Sequence, residues 1–201
     1  MVKGFNEQER QTIYKKLSEE GKKLFSVFGV KKTSIAQLTK AAGIAQGTFY
    51  QFFSSKEKLF FAIMEEEEAE IKEKILVKVS EERMTRQAFK EMLLYSIELI
   101  DEKPIIKSLF QGEDIEQLMR KLPPEKIQQH IQEDEWVLSP LLRKWQENGI
   151  LIDKDPEVIT GVIRGFFMML LHKKEIGEEV YHEAVDLLAE SLALGIVRGG
   201  E

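Results

Sequence analysis

Apolar residues recur at helical spacing along almost the whole of this 201-residue chain. Strand-like alternation is scarce, and only five prolines interrupt the pattern. Each helix patterned this way must bury one stripe against other helices, so an all-α architecture is expected. At this length the chain holds one large domain, or a small domain plus a medium one.

Capping signals divide the pattern. The first helix is expected after Asn6, with Glu9 completing a capping box. Its inward face is Ile13, Leu17, Gly21, Leu24, Phe25 and Phe28, and Gly29 ends it. Ser34 caps a second helix with Gln37 at the box position; Ile35, Leu38, Ala41 and Ala42 face inward, and Gly43 supplies the turn. A short third helix is expected over Gln46–Phe53, burying Phe49, Phe52 and Phe53. Ser54 or Ser55 caps the next helix, and Glu57 favours Ser54. That fourth helix runs through Phe60, Ile63 and Ile71 toward Val79, with the acidic run Glu65–Glu68 on a solvated face. Further helices are expected over about Thr85–Asp101, 105–111, 113–121 and Pro124–Asn148, the last kinked at Pro140. Asp155–Pro156 starts another helix, and a final one follows Gly177. This divides the chain into a three-helix module at 1–55 and a larger helical domain at 56–201.

Charge is uneven along the chain. Residues 1–60 hold 11 Lys/Arg and 5 Asp/Glu, whereas the whole chain carries a formal net charge of -6. A basic N-terminal third on an acidic protein localises attraction for polyanions. There are no cysteines, which excludes disulfides, thiolate zinc sites and cysteine nucleophiles. The N-terminal residues lack an apolar signal-peptide core, and the longest apolar cluster, Gly165–Leu171, is too short to span a bilayer. No membrane association and a cytoplasmic location are expected.

Residues 33–60 suit DNA. A B-DNA major groove is about 12 Å wide and accepts one helix. Ala45 and Gly47 are small enough to let the backbone approach; Gln46 and Gln51 have donors and acceptors for base edges. Thr48 and Tyr50 place hydroxyls where phosphates run, and Lys56 stands at a helix start, where N–H groups and the dipole attract a phosphate. Two short helices joined by a glycine turn also occur in proteins that never touch DNA, so spacing alone leaves a structural role open.

The motifs are more specific. Thr33-Ser34, Ile35-Ala36, Ala42-Gly43-Ile44, Gly47-Thr48-Phe49-Tyr50, Phe52-Phe53 and Lys56-Glu57-Lys58-Leu59 stand in order, after a helix ending Leu24-Phe25-Ser26-Val27-Phe28-Gly29. This run resembles the DNA-binding domain of TetR-family transcriptional regulators over about the first 60 residues. The resemblance implies phosphate contacts at Thr33, Thr48, Tyr50 and Lys56 and base contacts at Gln46 and Gln51. Ser34, Ala45 and Gly47 complete the expected DNA-contact set. Ala45 departs from the family pattern, which usually has Ser there, so a cap worth about 1 kcal/mol is lost.

The rest of the chain resembles the family only in length and helical character. It implies a homodimer on a double-stranded DNA operator, paired through the last two long helices; the candidate face is Val158, Val162, Met169, Tyr181, Val185, Leu188 and Leu192. It also implies a pocket for a small apolar or aromatic ligand, with Phe89, Met92, Tyr95, Phe110, Met119, Trp136, Trp145 and Phe166 as candidates. Each of these also reads as ordinary helical core. A ligand that favours mis-spaced reading helices would release the repressor by linkage.

Enzyme signatures are missing: the chain has no nucleophile elbow, phosphate loop or zinc motif. His130 with Asp134 has a spacing that suits a metal but reads better as a solvated face, so no metal or cofactor is expected. The alternatives are the same DNA-binding fold governed by a protein partner, or a helical enzyme or carrier whose first 60 residues are only structural.

Overall fold

The structure, a computed structural model, describes residues 5–81, 83–110, 118 and 120–199. Side chains of residues 80, 81, 110, 130–138 and 171 lie outside the description. The described elements are helical, apart from one antiparallel bridge between Leu151 and Val197. In chain order they are α1 (Glu7–Lys32), α2 (Ile35–Ala42), α3 (Gln46–Phe49), α4 (Lys56–Glu81), α5 (Arg86–Asp101), α6 (Pro104–Phe110), α7 (Pro124–Glu147), α8 (Pro156–Met169), α9 (Lys173–Ile176) and α10 (Tyr181–Ile196). A 3₁₀ turn, Leu170–His172, separates α8 from α9. The helix expected over 113–121 lies largely outside the described residues. Among the described residues no helix is long and apolar enough to cross a membrane.

Two compact units emerge. The first takes residues 1–69 and 103–122, the second 70–102 and 123–201.

In the first unit the capping boxes set the helix starts. Asn6 Oδ1 accepts from the Glu9 N–H at 2.8 Å, and Glu9 Oε2 accepts from the Asn6 N–H at 2.9 Å. Ser34 and Gln37 repeat the exchange at α2. Ser55, rather than Ser54, caps α4, its Oγ accepting from the Lys58 N–H at 3.3 Å. Gly29 adopts φ 69° and breaks the helical path of α1, leaving one more turn before Thr33. Leu17, Phe25, Val30, Leu38, Phe49, Leu59, Phe60 and Ile63 form the core, and the Phe25 and Phe60 rings meet edge-on at 5.3 Å. Phe28 and Ala41 are exposed, contrary to the inward positions expected from periodicity. Phe28 directly precedes the break at Gly29, where the helical face changes direction.

The acidic run is not wholly solvated. Glu67 is 1% exposed and pairs with Lys22 Nζ at 2.8 Å, joining α1 to α4. A carboxylate so buried needs a countercharge, and Lys22 supplies it.

In the second unit, α5 and α10 pack together. Val185, Ala189, Ala193 and Ile196 are buried on α10, and Phe89 and Leu93 on α5. The small Ala189 and Ala193 side chains allow close approach. Lys90 bridges the same helices through Asp186 at 2.9 Å and Glu190 at 3.1 Å. Asp155 caps α8 ahead of Pro156, accepting from the Glu157 N–H at 3.0 Å.

Candidate nucleic-acid interface

The reading unit starts with α2, which stops because Gly43 takes the left-handed conformation at φ 69°. The Ile44 N–H then reaches back to the Thr39 carbonyl at 3.0 Å, closing the turn. Glycine enters this backbone region without the steric penalty that other residues meet.

Regular α-helix covers only Gln46–Phe49, not Gln46–Phe53. Beyond it the chain tightens into turns: the Gln51 N–H donates to Thr48 and the Phe52 N–H to Phe49, both at 3.0 Å. Ala45 makes no side-chain cap, as its methyl dictates. Phe49 anchors this helix, fully buried, with Phe53 behind it. Phe52 is half-buried, with the Arg10 guanidinium 5.0 Å above its ring.

Anchoring by Phe49 leaves a defined outer face. Ala45, Gln46, Gly47, Tyr50 and Gln51 are exposed, and Tyr50 keeps 55% of its surface in solvent. A Cβ placed on Gly47 would meet nothing within 4 Å, so this surface is open to an approaching duplex. Ser34 is exposed at the start of α2, and Thr48 is half-buried. The side chains of Lys31, Lys32, Lys40 and Lys58 are also exposed.

Two residues expected at phosphates have other tasks. Thr33 is 1% exposed, and its hydroxyl donates to the Gly29 carbonyl at 2.8 Å. Thr33 therefore closes the end of α1, and its hydroxyl does not face solvent. Lys56 is half-buried, and its ammonium donates to the carbonyls of Val30, Lys31 and Thr33. The position of Thr33, four residues after Gly29, was the available signal for its capping role.

The other candidates whose side chains are described lie in the second unit. Phe89, Trp145 and Phe166 are buried, and Met92 and Tyr95 are half-buried. Phe110, Met119, Trp136, His130 and Asp134 fall outside the described side chains. On the proposed pairing face, Val158, Val162 and Met169 are exposed. Val185 is not: it is buried in the core, on a helix that packs against α5. Leu188 and Leu192 are half-buried, while Leu187 and Leu194 are 65% and 55% exposed. The outward stripe of α10 is thus rotated from the one expected, toward Leu187, Ser191 and Leu194. Tyr181 is half-buried, donating its hydroxyl to the Leu170 carbonyl at 3.3 Å.

A capped helix, a left-handed glycine turn and a short second helix with an open polar face define a helix-turn-helix module of the DNA-binding type. Residues 17–63 match the family described as bacterial regulatory proteins, tetR family. Over that stretch the chain is similar to the DNA-binding domain of this family. It is 46% identical over 52 residues to YvdT of Bacillus subtilis, described as an uncharacterized HTH-type transcriptional regulator, covering 26% of this chain and 27% of that protein. The chain spans between about a quarter and just over half of the length of the curated relatives it matches. A TetR-family regulator from Pectobacterium atrosepticum superposes with TM-score 0.69 at 20% identity, covering 98% and 100% of the two chains. SmeT, the repressor of the Stenotrophomonas maltophilia multidrug efflux pump SmeDEF, superposes with TM-score 0.64 at 18% identity, covering 93% and 91%. These likenesses establish the fold: an N-terminal helix-turn-helix followed by a larger helical part.

Proposed function

We propose that the protein is a sequence-specific transcriptional regulator, a dimeric repressor released from a double-stranded DNA operator by a small apolar or aromatic ligand. Residues 1–55 are its DNA-binding domain, and residues 56–201 pair the subunits and sense the ligand. The observation that carries this reading is the open face of Ala45, Gln46, Gly47, Tyr50 and Gln51, backed by buried Phe49. Gln46 and Gln51 read base edges, Tyr50 and Thr48 meet the backbone, and surrounding lysines supply the charge.

Pairing is supported by apolar side chains left in solvent on two long helices: Val158, Val162 and Met169 on α8, Leu187 and Leu194 on α10. Large apolar side chains left in solvent gain free energy when a partner surface covers them. A small ligand is supported by SmeT, which has been solved as a complex with triclosan.

Fluorescence anisotropy with the DNA upstream of the protein's own gene tests the reading. Wild type should bind a specific segment, and a Gln46→Ala/Tyr50→Ala variant should lose the preference for it. No specific complex at low salt, or an unchanged one in the variant, refutes DNA regulation by this face. A thermal-shift screen against apolar and aromatic metabolites tests the second half. A ligand at 100 times its Kd stabilises by about 2.7 kcal/mol, and the same compound must weaken the DNA complex. If none stabilises the protein, a protein partner replaces the small ligand.

A further inference from the structure

We propose that Lys56 is a positioning residue: its ammonium clamps the α1–α2 corner onto α4, and phosphate binding falls to the exposed lysines nearby. This rests on the DNA-binding reading above only for its consequences at the operator. Lys56 Nζ lies 2.6 Å from the Val30 carbonyl oxygen, 2.7 Å from that of Thr33 and 3.2 Å from that of Lys31. An ammonium has three donors and no acceptor, so three carbonyls use its whole capacity.

These acceptors are what the end of α1 leaves unsatisfied. The last carbonyls of a helix lack intrahelical partners and carry the negative end of its dipole. Here the backbone break at Gly29 isolates a final turn, and Thr33 closes it from inside through the Gly29 carbonyl. Lys56 closes it from α4. The clamped corner leads directly to Ser34 and α2, and the Gly43 turn fixes α3 to α2. A phosphate could take the Lys56 ammonium only by drawing it away from these three carbonyls. Lys31, Lys32, Lys40 and Lys58 have exposed side chains and need no such exchange.

The test uses the full chain and Lys56→Met. A lost phosphate contact changes the slope of log K against log salt by about 0.9 on B-DNA. For Lys56→Met, weaker binding with an unchanged slope is expected, whereas Lys58→Met should lose about 0.9 of slope. Hydrogen exchange should accelerate over residues 30–42 in Lys56→Met, with residues 185–196 unaffected. A slope that falls by about 0.9 in Lys56→Met, or exchange over 30–42 that stays at the wild-type rate, overturns the proposal. If wild type binds no DNA, the regulatory reading fails while exchange still decides the clamp. Should Lys56→Met not fold, NMR of the wild-type ammonium decides, with assignment from Lys56→Arg. A slowly exchanging Nζ signal in the DNA-free protein supports the clamp, and a signal lost to fast exchange overturns it.

Discussion

The Thr33 hydroxyl donates to the Gly29 carbonyl at 2.8 Å, and the Thr33 N–H reaches the same oxygen at 3.3 Å. One residue therefore supplies both donors that stop α1 and turn the chain toward α2. Thr33→Val keeps the shape and the N–H but removes the hydroxyl. It should cost about 1 kcal/mol of stability, the net worth of one hydrogen bond, read as a lower midpoint in urea. DNA affinity of the folded protein should not change on any sequence. An equal loss of affinity on all sequences would return Thr33 to the phosphate contacts.

Gln46 stands where a side chain can enter the groove, exposed at the first position of α3. Its amide matches adenine in both hydrogen-bonding senses. Gln46→Ala should reduce discrimination at one base position by about 1–3 kcal/mol while leaving non-specific binding intact. Competition among single-base operator variants measures this. Equal losses on all of them would assign Gln46 to the backbone instead.

Periodicity and caps made much of the fold legible. Asn6/Glu9, Ser34/Gln37 and Asp155–Pro156 are local devices, and each acts within a few residues of itself. What was not legible depends on distant partners. Glu67 reads as a surface charge until Lys22 is placed across from it, 45 positions earlier in sequence. Lys56 reads as a phosphate ligand until the Val30 carbonyl, 26 residues away, is in reach. The stripe of α10 illustrates the same limit. Helical spacing shows that Val185, Leu188 and Leu192 share a side, but which edge of that side is buried depends on the helices packed against it.

Gly21 of α1 faces Leu59 and Ile63 of α4. A Cβ there would lie 2.9 Å from Ile63 Cδ1 and 3.2 Å from Leu59 Cδ2. Both atoms end flexible side chains, so Gly21→Ala is accommodated by small shifts. Gly21→Leu is not, and should destabilise the first unit by about 1–3 kcal/mol through overpacking. Denaturant unfolding separates the two, and a Leu variant as stable as wild type would mean that the helices separate freely here.

Tyr14 holds its proton more tightly than an ordinary tyrosine, because burial and then the nearby Glu66 carboxylate disfavour the phenolate. The folded state thus keeps a proton that the unfolded chain releases. Stability is intact below the ordinary value of 10.0 and is lost as pH rises through the higher folded value. Tyr14→Phe should flatten the alkaline decline in melting temperature. Some decline should remain, since burial also raises Tyr181. An identical alkaline profile in both proteins would remove Tyr14 from the account.

Leu187 and Val185 lie two residues apart on α10 yet differ in setting: Leu187 is 65% exposed, whereas Val185 is buried. A pairing face built from α8 and α10 must use the first and not the second. Leu187→Glu places a charge where an apolar contact would form between subunits, and burying that charge unpaired would be costly. It should shift the protein toward monomer in sedimentation or light scattering, with the melting curve of a fold that is otherwise intact. Val185→Ala should do the reverse. It opens space in the core and lowers stability by about 1–3 kcal/mol without changing the subunit count at equal concentration of folded protein. A monomeric Val185→Ala with an intact fold, or a Leu187→Glu variant that stays dimeric, would place the subunit contact elsewhere. Two recognition helices read half-sites only when a dimer holds them about one helical turn apart or at a multiple of it. Operator binding by Leu187→Glu should therefore fall with dimerisation, and recover at concentrations where the dimer re-forms.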